Sequence, residues 1–167
     1  LNTEQLIRLA DLSEEYADGV SHITTRQDIQ FHFVSLEDSP DMMRRLAEVG
    51  ITTREACGNV VRNVTGCANA GTCSTQGFDV TPHASAMAEF LLRHPDTQNF
   101  GRKFKVSFSG CADKPCGLAK MHDLGAVATV REIDGKRVEG FKVYVGGGLG
   151  ALPQLATLLC DFVAVNE

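Results

Sequence analysis

Leu6, Leu9, Ala10 and Ala17 share one stripe with Ser13 at helical spacing, which predicts a first helix with Thr3 as a possible N-cap and Gly19 as its stop. The period then changes to two. Residues 20–24 are strand-forming, and Ile29, Phe31 and Phe33 alternate with Gln30, His32 and Val34, as a half-buried strand requires. Ser39 and Pro40 suit an N-cap and first turn, with Met43, Leu46 and Ala47 as the inner face of a second helix that ends at Gly50. Thr52 and Glu55 form a capping box, predicting a short third helix near Ala56.

Residues 66–80, rich in Gly, Ala, Asn, Thr and Ser, read as a loop or linker, so a boundary is expected there. Thr81 and Pro82 open another helix with Ala84, Ala88 and Leu91 on one side, failing near His94 and Pro95. In the strand predicted over 103–109, Phe104, Val106 and Phe108 point one way and Lys103, Lys105 and Ser107 the other. Strands over 125–133 and 140–145 form a hairpin through Asp134 and Gly135 with a slightly long turn. Leu155, Leu158 and Leu159 suggest one helical turn near the end.

The 167 residues, 43% hydrophobic and 22% charged, are enough for one compact domain or two small ones. No apolar run is long enough to span a membrane, and no signal-peptide pattern is visible, so a cytoplasmic protein is expected. A net charge of −5 argues against a nucleic-acid surface built on bulk charge, so any anion must meet a local cluster. Lys103 and Lys105 supply such a cluster. Two ammonium groups on neighbouring same-face positions repel unless an anion or carboxylates lie between them, and the alternative is a solvated strand face. Arg26, in a Thr-Thr-Arg-Gln turn, and Arg62, in Val-Arg-Asn-Val, are each ordinary surface residues unless the fold links them.

Six cysteines are too few for a disulfide scaffold in a chain that can bury a core. Cys67 and Cys73 are separated by five residues and Cys111 and Cys116 by four, so the four thiolates could converge on zinc or an iron–sulfur cluster, or be small core hydrophobes. His32 and His122, the latter beside Asp123, could titrate or bind, although structural roles suit both. Gly146, Gly147, Gly148 and Gly150 form a glycine-rich turn after a strand, where amides can face an anion or the edge of a cofactor; Ala151 and Leu152-Pro153 break a dinucleotide fingerprint.

Several motifs occur in a specific order: Thr24-Thr25-Arg26-Gln27-Asp28-Ile29-Gln30-Phe31-His32, Cys57-Gly58-Asn59-Val60-Val61-Arg62-Asn63-Val64-Thr65-Gly66-Cys67, Arg102-Lys103-Phe104-Lys105, His122-Asp123-Leu124-Gly125 and Val145-Gly146-Gly147-Gly148-Leu149. Together they resemble the assimilatory nitrite and sulfite reductases that carry siroheme and a [4Fe-4S] cluster. The resemblance implies an α+β fold, with a ferredoxin-like α/β sandwich unit over residues 1–76 and part of a second, mixed α/β siroheme-domain unit over 77–167. It implies the first half of an enzyme that reduces sulfite to sulfide or nitrite to ammonia by six electrons, inactive by itself. Its partners would be the C-terminal half of the same enzyme and an electron donor such as ferredoxin or a flavoprotein.

The same resemblance puts Arg26, Gln30, Arg62, Asn63, Lys103 and Lys105 at the siroheme, with Arg26, Lys103 and Lys105 acting on the oxyanion, and makes Arg93 a nearby candidate. The family's cluster ligands belong to the second half; Cys67, Cys73, Cys111 and Cys116 fall near their pseudo-symmetric counterparts, but the second pair is one residue further apart, so the role is not carried over to them. A stand-alone iron–sulfur or zinc module using Cys67, Cys73, Cys111 and Cys116 is the alternative.

Overall fold

The computed structural model describes residues 1–166. They form two compact units, residues 1–54 and 55–167 by chain position, each described by itself. In the first, helix α1 (Thr3–Tyr16) is followed by strands β1 (Ser21–Ile23) and β2 (Ile29–Phe31) and helix α2 (Ser39–Glu48). The cap of α1 is Asn2, not Thr3: its side chain takes the Gln5 N–H while Gln5 reaches back to the Asn2 N–H, leaving Thr3 inside the first turn. β1 and β2 pair as an antiparallel hairpin, Ser21 opposite Phe31. The expected alternation stops before Phe33, which has φ 61° and is exposed, because a left-handed residue cannot continue a strand.

Leu9 and Leu12 of α1 pack on Met42 and Leu46 of α2, with Ile29 and Phe31 of the hairpin closing the cluster. The inner face of α2 therefore runs through Met42; Met43 and Ala47 are exposed. The short helix expected at Ala56 does not form. Glu55 has φ 58°, and its carboxylate accepts the Arg93 N–H and the Gln98 side-chain amide instead of capping a helix.

The second unit is a five-stranded sheet in the order β3 (Val61–Thr65), β4 (Phe104–Ser109), β5 (Leu124–Ile133), β6 (Lys136–Val145) and β7 (Thr157–Ala164). β3, β4 and β5 run parallel, and β6 and β7 are antiparallel to their neighbours. Helix α3 (Thr81–Leu91) links β3 to β4, as a parallel crossover requires. It buries Ala84 and packs Met87 and Leu91 against Val61, Val80, Val106, Phe108 and Ala126, leaving Ala88 exposed.

Four points differ from the sequence reading. β3 was not evident from its sequence. The β5–β6 turn is a tight two-residue connection, with Asp134 at φ 53° and Gly135 at φ 71°, matching the turn to the strand twist. The Leu155–Leu159 region holds the start of strand β7 in place of a helical turn, because β6 offers it a pairing edge. The units also part between Arg54 and Glu55, earlier than the 76/77 boundary that the resemblance implied, since β3 pairs with β4 and draws residues 55–76 into the second unit.

Candidate functional site

Parallel pairing of β3 and β4 sets the geometry. Val61 is level with Phe104, Asn63 with Lys105 and Thr65 with Ser107, with a register irregularity between Val61 and Asn63. Paired residues share a sheet face, so Asn63 and Lys105 stand side by side, both half-buried. Arg62 falls at the irregularity, where its Nε donates to the Gly58 carbonyl at 2.7 Å. Lys103, just before β4, is exposed, and its ammonium has no ion-pair partner among the described residues.

Phe104, Val106 and Phe108 go to the core as expected. The opposite face is not a solvated one along its whole length: Ser107 and Ser109 are fully buried, and the Ser107 hydroxyl donates to the Gly117 carbonyl. The loop 110–118 and the 3₁₀ turn Ala119–Met121 cover that face, leaving only its Lys103–Lys105 end open. Two like charges are thus confined to one end of a strand whose remainder is dry.

Asp123 is the positioning residue that sequence reasoning did not single out. Its carboxylate accepts the Lys105 backbone N–H at 2.9 Å, tying the start of β4 to the segment before β5. The adjacent His122 ring donates through Nδ1 to the Leu118 carbonyl at 2.8 Å, a structural role. The only signal was the pair His122-Asp123 itself. The glycine-rich turn serves packing: the amides of Gly146, Gly147 and Gly148 donate to the carbonyls of Asp123, His122 and Gln154 at 3.0, 3.0 and 2.9 Å. Those three donors are therefore already used within the chain.

In the first unit, the Thr24 hydroxyl accepts the N–H groups of Arg26 and Asp28, and Gln27 takes φ 62°, building the turn that presents a half-buried Arg26. Gln30 is exposed on β2 opposite His22. His22 and His32 stack with ring centroids 5.6 Å apart. Arg26 and Gln30 thus belong to one unit, whereas Arg62, Asn63, Lys103 and Lys105 gather in the other. Arg93, at φ 64°, is held by its N–H to Glu55 at 2.7 Å.

The four paired cysteines also converge, for a topological reason. Cys67 follows β3 and Cys111 follows β4, so the loops leaving two neighbouring parallel strands start at one edge, clamped by the Gly77 N–H to the Gly110 carbonyl at 2.8 Å. Cys67 and Cys116 have sulfurs 2.7 Å apart, and Cys73 and Cys111 have theirs 3.6 Å apart. The Thr75 hydroxyl lies 3.2 Å from Cys73 and 3.4 Å from Cys111. That hydroxyl holds the Cys73 thiol below its ordinary value. At Cys111 the Thr75 hydroxyl again pulls down, but burial and the sulfurs of Cys73 and Cys67 outweigh it, and the thiol is raised. Cys116 is pushed up to about 11 by Cys67 and by burial.

Comparison with known proteins agrees with this architecture. Residues 57–167 match the nitrite and sulphite reductase 4Fe-4S domain, and residues 1–49 match the nitrite/sulfite reductase ferredoxin-like half domain. The chain belongs to the nitrite and sulphite reductase family. It is 35% identical over its whole length to an assimilatory ferredoxin-dependent nitrite reductase of Haloferax mediterranei, covering 30% of that protein. It is 31% identical to a sulfite reductase [ferredoxin] of Mycobacterium tuberculosis, covering 29% of it. The chain thus spans less than a third of the length of these relatives. The solved structure of the Mycobacterium tuberculosis NirA protein superposes with a TM-score of 0.84 at 31% identity, over 98% of this chain and 29% of that one. A dissimilatory sulfite reductase I shares the fold, with a TM-score of 0.80 at 12% identity over 100% of this chain and 56% of that one.

The family implies a [4Fe-4S] cluster and, by resemblance, siroheme. Lys103, Lys105, Arg62 and Asn63 fit a cofactor edged with carboxylates: they are cations and an amide around one open strand end. The four cysteine sulfurs gather where the loops after β3 and β4 meet, in two contacting pairs, and no three His, Cys, Asp or Glu groups form a metal site among the described residues.

Proposed function

We propose that this chain forms part of the siroheme- and oxyanion-binding face of a ferredoxin-dependent enzyme that reduces nitrite to ammonia or sulfite to sulfide. The parallel register of β3 and β4 carries the reading, because it puts Asn63 beside Lys105 and leaves Lys103 without an ion-pair partner among the described residues, at the one uncovered end of an otherwise buried face. An anionic macrocycle and an anionic substrate would give the Lys103 ammonium a counter-charge. In this reading Arg26, Gln30, Arg62, Asn63, Lys103 and Lys105 hold cofactor carboxylates.

Siroheme, when bound, supplies an iron centre that accepts electrons one at a time. Lys103 and Lys105 orient the oxyanion by donating hydrogen bonds to its oxygens, and their ammonium protons are available as those oxygens leave as water. Arg26 adds the charge of its guanidinium. Asp123 keeps the start of β4, and with it Lys105, from shifting. The remaining part of such an enzyme would carry the cluster ligands, with ferredoxin as electron donor and the cytoplasm as its place of work. Among the described residues no helix is long and apolar enough to cross a membrane.

The test uses the enzyme that contains this chain at full length. Lys103→Ala and Lys105→Ala are each expected to lower turnover at least tenfold while the siroheme absorption bands persist, within the range for loss of one electrostatic donor. Unchanged steady-state rates with both sulfite and nitrite would overturn the proposal.

A further inference from the structure

The open Lys103–Lys105 end of the sheet has an apolar neighbour. Val106 of β4 is level with Leu124 of β5, and Leu124 with Val145 of β6, so the chain leaves β6 at the sheet end where β4 begins, two strand spacings or about 10 Å away. Hydrogen bonds bridge that interval: the Asp123 carboxylate accepts the Lys105 N–H at 2.9 Å, and the Asp123 carbonyl accepts the Gly146 N–H at 3.0 Å. The loop that follows, residues 146–156, carries Leu149, Leu152 and Leu155, which are 69%, 85% and 71% exposed. It is not loose chain. Gly148 and Gln154 exchange two backbone hydrogen bonds of 2.9 Å across its neck, and the Ala156 N–H closes onto the Lys120 carbonyl at 2.7 Å. A single exposed leucine needs no explanation, but three close together on one fastened loop do.

We infer that Leu149, Leu152 and Leu155 form the apolar seat of the siroheme ring, an assignment that rests on siroheme binding at the Lys103–Lys105 end as proposed above. Such a macrocycle is amphipathic, with carboxylates edging a largely apolar ring. Sites for ligands of this kind are mostly apolar, with a few charged groups that fix orientation. The strand end supplies the charged groups, whereas Phe104, Val106 and Phe108 of β4 turn into the core, so the apolar contact comes from the loop. Because the neck of the loop is already closed, little ordering remains to oppose binding. Covering one leucine with the ring strengthens binding about tenfold or more.

The experiment takes the full-length enzyme, prepared without siroheme and titrated with it by absorbance, with melting temperatures recorded before and after loading. Leu149→Asn, Leu152→Asn and Leu155→Asn are each expected to weaken siroheme binding about tenfold or more and to shrink the melting-temperature gain on loading, with the siroheme-free melting temperature unchanged. Leu152→Met, which keeps the apolar bulk, should bind as the parent does, and so should Ile133→Asn at the opposite end of β5. Unchanged siroheme affinity in all three asparagine variants would overturn the assignment. A fall in the siroheme-free melting temperature with affinity kept would also overturn it, since another part of the enzyme's own chain would then cover the leucines. Equal weakening by Ile133→Asn would do so too. A parent enzyme that takes up no siroheme would overturn the siroheme reading together with this one.

Discussion

Three consecutive glycines after β6 should respond differently to the same added methyl group. A Cβ on Gly147 would stand 2.6 Å from both the His122 and Lys120 carbonyl oxygens and 2.9 Å from the His122 nitrogen. These are backbone atoms, so no rotamer change makes room; the 120–123 segment must retreat. Retreat strains the Gly147 N–H to His122 bond and pulls on the Lys120 carbonyl, which accepts the Ala156 N–H at 2.7 Å. Overpacking costs about 1–3 kcal/mol and a weakened backbone hydrogen bond about 0.5–1.5 kcal/mol, so Gly147→Ala should cost about 1.5–4.5 kcal/mol in all. At about 1.4 kcal/mol per factor of ten, the open population of the sheet rises roughly ten- to a thousand-fold.

Gly146 has φ 82° and nothing near its Cβ position, so Gly146→Ala pays only backbone strain, about 1–2 kcal/mol. Gly148 has neither obstacle, so Gly148→Ala should be neutral or stabilising by roughly 0.4–1 kcal/mol. Hydrogen exchange of peptides covering β5 and β6 reads all three variants. If Gly147→Ala exchanges no faster than Gly148→Ala, the close seating of the glycine turn on residues 120–123 is refuted.

In the first unit, Leu12 is fully buried between the helices and hairpin, so Leu12→Ala should cost about 2–5 kcal/mol, read as a loss of helical signal at lower urea. Glu15 is held below its ordinary pKa of 4.5 by the Arg45 guanidinium, so its contribution to stability is full above that value and is lost as pH falls through the lowered one. The melting-temperature gap between the parent chain and Glu15→Gln should therefore close on acidification, and a gap that persists below the lowered pKa would contradict this. Asp123→Ala should raise hydrogen exchange at the Lys105 amide while leaving the Lys142 region unchanged; equal protection at Lys105 would remove Asp123 from its positioning role.

What was legible in the chain was what local pattern decides. β4 was readable because Phe104, Val106 and Phe108 alternate with polar residues, and α2 because Ser39-Pro40 and Gly50 bracket it. β3 was not: Val-Arg-Asn-Val-Thr offers no clear alternation, and its strand state comes from a parallel partner forty residues along the chain. β7 misled for a related reason, since Leu155, Leu158 and Leu159 have helical spacing, yet the free edge of β6 decides their conformation. Lys103 and Lys105 were singled out by their same-face spacing, and Arg26 and Arg62 by motif order. The dryness of Ser107 and Ser109, which isolates Lys103 and Lys105 at one strand end, depends on a loop whose seating sequence does not reveal.

The dependence of the sheet on β3 bears on how this protein can be divided. Cutting the chain at the compositional boundary near residue 76 would strip the first strand from the sheet and expose the N–H and C=O groups of β4, a strand carrying Val106 and Phe108, as an open edge inviting association with other chains. A piece that starts at Glu55 keeps β3 as a guard strand, so the workable cut for expression lies upstream of the glycine- and asparagine-rich loop, not within it.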